Sequence, residues 1–171
     1  MISILASIRP IWCEKIFDGS KTLELRKTKP KANPPFKVYI YCANSMEKII
    51  SIGPYRLRGN GRVCAEFICD YILRHCETTN ADVAEQQSLV RRENIYWYSG
   101  CGNHEIFGWH ISQLKIYDEP RPLTNYHRPC PNSLRCESCA MHNEHPTPIC
   151  GNYALEIRRP PQSWMYAEDQ T

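Results

Sequence analysis

Three charged residues near the N-terminus are spaced so that they can act together. In Gly19-Ser20-Lys21-Thr22-Leu23-Glu24-Leu25-Arg26, a glycine that lets the chain turn sharply precedes an alternation of polar and apolar residues. A strand over this stretch puts Thr22, Glu24 and Arg26 on one face and Leu23 and Leu25 on the other, with Lys21 at its mouth. A cation, an anion and a second cation around one cleft supply the donors and the acceptor that a nucleobase edge or a phosphate needs. Without a cleft, the same pattern is an ordinary solvated strand face.

A second constellation is made of thiols. Cys130, Cys136, Cys139 and Cys150 follow the spacing C-x5-C-x2-C-x10-C in a stretch poor in apolar residues and rich in Pro, Asn, His and Ser. Such a stretch has little core of its own to offset the entropy of ordering it, so it needs a crosslink. Four thiolates fill a tetrahedral Zn²⁺ shell, which marks a structural rather than a catalytic site. His127, His142 and His145 are alternative ligands; a labile disulfide cluster or free thiols are the other readings. The spacing is not one of the common iron–sulfur runs. Cys13, Cys42, Cys64, Cys69, Cys76 and Cys101 fall within apolar elements, where thiols act as inert small hydrophobes.

The elements that must position these groups can be read in order. Ile2 to Ser7 reads as a strand, and Pro10 to Phe17 as two helical turns with Pro10 near the first position and Gly19 as the stop. The helix delivers the chain to Lys21. Arg9 and Trp12 lie at the strand–helix junction and can form a cleft wall, although a tryptophan there equally fills a core. Residues 27–35 are a basic, proline-rich connector. Lys37 to Cys42 is a strand with Val38 and Ile40 opposite Tyr39 and Tyr41, the tyrosines filling the core rim or stacking on bases. A short helix is expected over Met46 to Ile52, and a long strand from Gly61 to His75 with Glu66 facing away from the apolar side. Asn80 caps a helix reaching about Val90; a second helix, Arg91 to Tyr98, completes a cover anchored by Trp97 and Tyr98. The strand from His104 to Tyr117 contains Gly108, which marks a bend, a bulge or a close approach. A final strand is expected over Tyr153 to Arg158, and Trp164 in the tail either adds to the cleft edge or staples the end of the fold.

The motif G-x-K-x-x-E-x-R, with Ile4-Leu5-Ala6-Ser7-Ile8-Arg9-Pro10 and Glu14-Lys15-Ile16-Phe17-Asp18 before it, resembles the start of an ASCH domain. The resemblance extends more loosely through 36–42, 61–71 and 107–117. It implies an α+β fold, a PUA-like small mixed β-barrel with flanking helices, as one domain over 1–171; the proline-rich flanks of the thiol stretch mark the zinc knuckle, 127–151, as an insertion within that domain. The resemblance also implies RNA or a nucleotide-like ligand at Lys21, Thr22, Glu24 and Arg26, with Arg9, Trp12 and Trp164 contributing to the cleft. Some ASCH proteins are similar to amidohydrolases that act on modified cytidine with a lysine, a threonine and a glutamate. Lys21 matches the lysine, but Glu24 occupies the threonine position, Thr22 is displaced by two residues, and Glu85 is only a loose match to the acid. A ribonuclease reading with Lys21, Glu24 and Arg26 survives, because cleavage by the 2′-hydroxyl needs only a base, an acid and a cation. A third reading makes the knuckle a protein-docking surface through Arg135, Glu137 and Met141.

Composition bounds these readings. A chain of 171 residues with 42% hydrophobic content suits one domain with a real core. A net charge of +3 is too small for wrapping long duplexes by counterion release, so any nucleic-acid site should be local. The N-terminus lacks a basic leader, and no run approaches the ~20 apolar residues of a membrane span. The expectation is a cytoplasmic monomer without membrane contact, whose ten cysteines are thiols and metal ligands rather than disulfides.

Overall fold

The computed structural model describes residues 2–54, 56–130 and 152–169. β1 (Ser3–Ile8) leads into α1 (Pro10–Phe17), which starts on Pro10 where a missing N–H costs nothing. The helix stops at Asp18, and Gly19 at φ 78° turns the chain into β2 (Leu23–Arg26). β3 (Phe36–Cys42) then pairs in parallel with β1, Ile8 opposite Cys42. Its alternation sorts side chains to two cores. Val38 and Ile40 pack with Ile4, Ala6, Phe67 and Trp109, whereas Tyr39 and Tyr41 pack with Leu5, Val63, Tyr117 and Tyr126. The tyrosines are therefore core residues, 4% and 7% exposed, and present no face to a base.

β6 (Arg62–Cys69) and β9 (Ser112–Arg121) complete a five-stranded sheet in the order β11-β1-β3-β6-β9, where β11 is Trp164–Tyr166. A register shift between Val63 and Ala65 breaks the alternation of β6, so that Val63 joins the tyrosine side while Cys64 and Ala65 both join the other core. Glu66 lies on the tyrosine side, where it accepts a 2.8 Å hydrogen bond from Tyr117. Beyond short breaks, β6 continues as β7 (Ile72–Leu73), and β8 (Phe107–His110) precedes β9 across Ile111. β7 and β8 form a second sheet with β2, in the order β2-β8-β7. One interrupted ribbon thus serves both sheets, and the break between β8 and β9 falls at Ile111. Gly108 marks a close approach instead: a Cβ there would meet Leu23 Cδ2 at 2.5 Å.

The expected small barrel is not closed among the described residues, because no backbone ladder joins β2 to β11. Neither edge offers the other a run of paired backbone hydrogen bonds among the described residues. Side chains cross the seam in their place. Arg26 donates to the carbonyls of Ser163 and Ser7, each at 3.0 Å, and Trp164 Nε1 donates to Thr28 Oγ1 at 2.9 Å.

Several other expectations are corrected. The stretch 46–52 is not helical; Asn60 holds it by accepting from Ile50 N and donating to the carbonyls of Ser45 and Lys48, and β4 (Ser51–Ile52) pairs with β5 (Leu57–Arg58). The strand expected at 153–158 is a 3-10 turn followed by a single bridge from Glu156 to His127, and β11 pairs with β1 instead. In the cover, α2 (Ala81–Ser88) and α3 (Arg92–Tyr98) pack over β2 through Ala84 and Ile95. Trp97 is 68% exposed, since it lies two residues, or about 200° of helical rotation, from the anchoring Ile95. Cys101 is exposed in the turn after α3; the other scattered thiols are buried. β10 (Tyr126–His127) pairs with β12 (Glu168–Asp169). Among the described residues no helix is long and apolar enough to cross a membrane.

Candidate functional site

α1, β2 and the helical cover enclose a cleft of about 390 Å³. Ser7, Ile8 and Arg9 line it from the end of β1, Trp12 from α1, Lys21 from the segment before β2, Glu24, Leu25 and Arg26 from β2, and Val90, Asn94, Ile95 and Tyr98 from the cover. Glu24 sits between the two cations. Its Oε2 is 3.4 Å from Lys21 Nζ and its Oε1 is 3.0 Å from Arg26 Nη2. None of the three is a solvated side chain: Lys21 is 2%, Glu24 8% and Arg26 5% exposed. All four residues of β2 are buried, because the cover roofs the face that alternation alone would leave to water.

Most of the polar capacity of this trio is already engaged. Lys21 Nζ donates to the carbonyls of Leu23 at 2.8 Å and Ser88 at 3.0 Å, tying β2 to the end of α2, and lies 5.1 Å from the Trp12 ring. Arg26 also donates to Ser163 Oγ and stands 5.9 Å from the Trp109 ring; its Nε is buried without a hydrogen-bond partner among the described residues. Burial draws the Lys21 ammonium below the ordinary lysine value of 10.5, against the attraction of Glu24 and with help from the nearby Arg26 charge. The arrangement is a preorganised mixed-charge floor beneath the aromatic groups of Trp12 and Tyr98. Its chemistry suits a flat ligand with both donors and acceptors on its edge.

The remaining sequence-derived candidates divide. Arg9 lies at the cleft with its side chain 71% exposed and its Nε 3.8 Å from Glu47 Oε2. Thr22 is not among the lining residues; its backbone joins β2 to α2 through Gln87 O and to Ile111 N. Trp164 packs against Trp109 and Tyr166 at the seam, outside the cleft lining. Glu85 accepts from Arg92 N at 3.0 Å, at the start of α3. Sequence reasoning placed Tyr98 in the cover as an anchor and overlooked Val90, Asn94 and Ile95. No local signal marks them, because only the docking of the cover brings them to β2.

Two comparisons find nothing: no family model matches the sequence, and no curated protein matches it. Solved structures do. An ASCH protein from Zymomonas mobilis aligns with TM-score 0.60 at 15% identity, covering 96% of this chain and 86% of that one. Two single-substitution variants of it give 0.61 at 14% identity, covering 98% and 91%, and 0.62 at 13% identity, covering 98% and 89%. The chain has an ASCH-like fold. In this ASCH-like frame the cleft lies where the parallel pair β1 and β3 ends and β2 begins.

Of the thiol constellation, Cys130 is described and partly buried. Cys136, Cys139 and Cys150, with His142 and His145, lie outside the described residues, as do Arg135, Glu137 and Met141. His127 is buried in β10 and bridges to Glu156, while Arg128 N donates to Leu155 O at 2.8 Å. The chain therefore leaves this segment and returns to it at one place.

Proposed function

We propose that the protein binds RNA, seating a nucleobase in the cleft between Trp12 and Tyr98 and above Lys21, Glu24 and Arg26. The observation that carries this reading is a buried cation–anion–cation trio flooring an open, aromatic-sided cleft. A base bound there meets a π-face to stack on and, in Arg26 Nε, a donor without a partner among the described residues to meet its edge, the combination used for single-stranded RNA. The small net charge agrees with a local site. The resemblance of the motif to ASCH domains and the ASCH-like fold raise the same expectation by analogy.

Fluorescence anisotropy with short labelled RNAs tests it. Trp12→Ala and Tyr98→Ala should each weaken binding by about tenfold, the value of roughly 1–3 kcal/mol for one base–aromatic stack. Lys115→Ala, an exposed change on β9, should leave it unchanged. Equal effects of all three would overturn the reading.

A second reading, hydrolysis of RNA, is favoured by one feature: Glu24 stands beside a lysine whose proton is loosened by burial. Labelled RNA incubated with the protein and with Glu24→Gln decides it, since cleavage retained by the variant rules out this site. We also assign Cys130, Cys136, Cys139 and Cys150 a structural Zn²⁺, on their spacing and on the pinned base of the segment between Arg128 and Leu155. Mass spectrometry should find one zinc per chain, lost with the fold of the segment on chelation.

A further inference from the structure

A second hollow, of about 510 Å³, opens beyond the ends of β3 and β6 and carries Asn44, Arg58 and Arg62 on its wall. Neither arginine makes an ion pair with a carboxylate among the described residues; Arg58 Nη2 donates only a long 3.4 Å hydrogen bond to Asn44 Oδ1. Their backbone is nevertheless fixed. Between them, the side chain of Asn60 is buried on Ile50, Ser45 and Lys48, and Gly61, at φ 81°, donates to Cys42 O at 2.8 Å. Two guanidiniums held on a rigid turn, with the donor fork of each largely free, match the oxygens of a phosphodiester.

The position of the hollow relates it to the cleft. Ile8 faces Cys42 across the parallel pair, Cys42 faces Arg62, and Ala43 N donates to Ile8 O, so both openings lie at one end of the sheet. Neighbouring strands are about 4.8 Å apart, which separates Arg62 from the β1 side of the cleft by roughly 10 Å. Arg9, exposed just past the end of β1, lines the cleft itself.

The geometry points to the Arg58–Arg62 hollow as a backbone-phosphate subsite for the RNA strand whose base occupies the cleft, the strand passing over Arg9. This rests on the RNA-binding reading above and extends it from a single base to an oligonucleotide. Phosphate contacts of this kind position a strand and add affinity without reading its sequence.

The test compares a uridine mononucleotide with a hexanucleotide, on the full chain and on Arg58→Ala/Arg62→Ala; both arginines are exposed, so the fold has no need of them. Hexanucleotide affinity should fall about tenfold, mononucleotide affinity should not change, and the slope of log affinity against log salt should shrink by about 1.4, or ~0.7 for each lost single-strand phosphate contact. An unchanged hexanucleotide affinity and salt slope, with both ligands binding the parent chain, would overturn the hollow and leave the cleft standing. A hexanucleotide that responds to the arginines but not to Trp12→Ala would remove the cleft and keep the hollow. Failure of the parent chain to bind either ligand would remove both.

Discussion

Replacing Glu24 by glutamine should destabilise the protein measurably while leaving it folded. The substitution keeps size and one acceptor oxygen but removes the charge that faces Lys21 at 3.4 Å and Arg26 at 3.0 Å. Both cations are almost fully buried, so neither can turn to water for compensation. Breaking one partner out of a buried ion pair costs about 3–5 kcal/mol. Here Lys21 keeps the carbonyls of Leu23 and Ser88, and Arg26 keeps those of Ser7 and Ser163, which places the loss near the lower end, about 3 kcal/mol. At roughly 2–4 °C per kcal/mol for a chain of this size, the melting temperature should fall by about 6–12 °C. Urea unfolding followed by tryptophan fluorescence measures the loss directly. Added salt should not restore it, because buried charges are weakly screened. Lys21→Met in the Glu24→Gln background should recover about 1 kcal/mol by removing one uncompensated cation, a coupling in the range expected of contacting residues. A Glu24→Gln variant as stable as the parent, or strict additivity in the double variant, would show that the trio is not held as described.

Other outcomes follow from the same structure. Because burial lowers the Lys21 pKa below its ordinary value, the unfolded chain holds this proton over a window in which the folded chain has released it. Stability should therefore rise with pH through that window, below 10.5, and the difference in slope between the parent and Lys21→Met isolates it; an identical pH profile for the two would contradict the shift. Gly108→Ala brings a Cβ into Leu23 and should cost about 1–3 kcal/mol by overpacking, much of it relieved by Leu23→Ala, as chemical denaturation of the two single variants and the double variant would show. Among the described cysteines, Cys101 should be alkylated rapidly in the native protein while Cys13, Cys42, Cys64, Cys69 and Cys76 react only after unfolding; peptide mapping distinguishes them, and rapid labelling of Cys64 would refute the packing of β6.

The parts of the fold that rest on a local period were legible beforehand. Phe36–Cys42 alternates strictly, and that alone separates Val38 and Ile40 from Tyr39 and Tyr41; Pro10 and Gly19 likewise bound α1 by their own backbone chemistry. What local pattern missed depends on tertiary contact. Nothing within Leu23–Arg26 reveals that α2 and α3 roof it, so the local pattern leaves Glu24 and Arg26 open to a cleft or to a solvated face, and only the docked cover buries them. The apolar run 46–52 satisfies a helical pattern, but Asn60 captures its backbone groups first. At the open seam the decisive partner of Arg26 is a residue 137 positions away in sequence, Ser163, and Trp164 works there rather than in the cleft. Tyr98 reached the cleft for the same reason that Trp97 missed the core: the orientation of α3 is set by Ile95.

Ultraviolet crosslinking of bound RNA to the native protein, read out by mass spectrometry of the attached peptides, bears most directly on the cleft. Nucleotide adducts should map to the peptides containing Trp12 and Tyr98. Adducts found only on exposed aromatic residues away from the cleft, such as Tyr71, or no adducts with any RNA, would contradict the assignment.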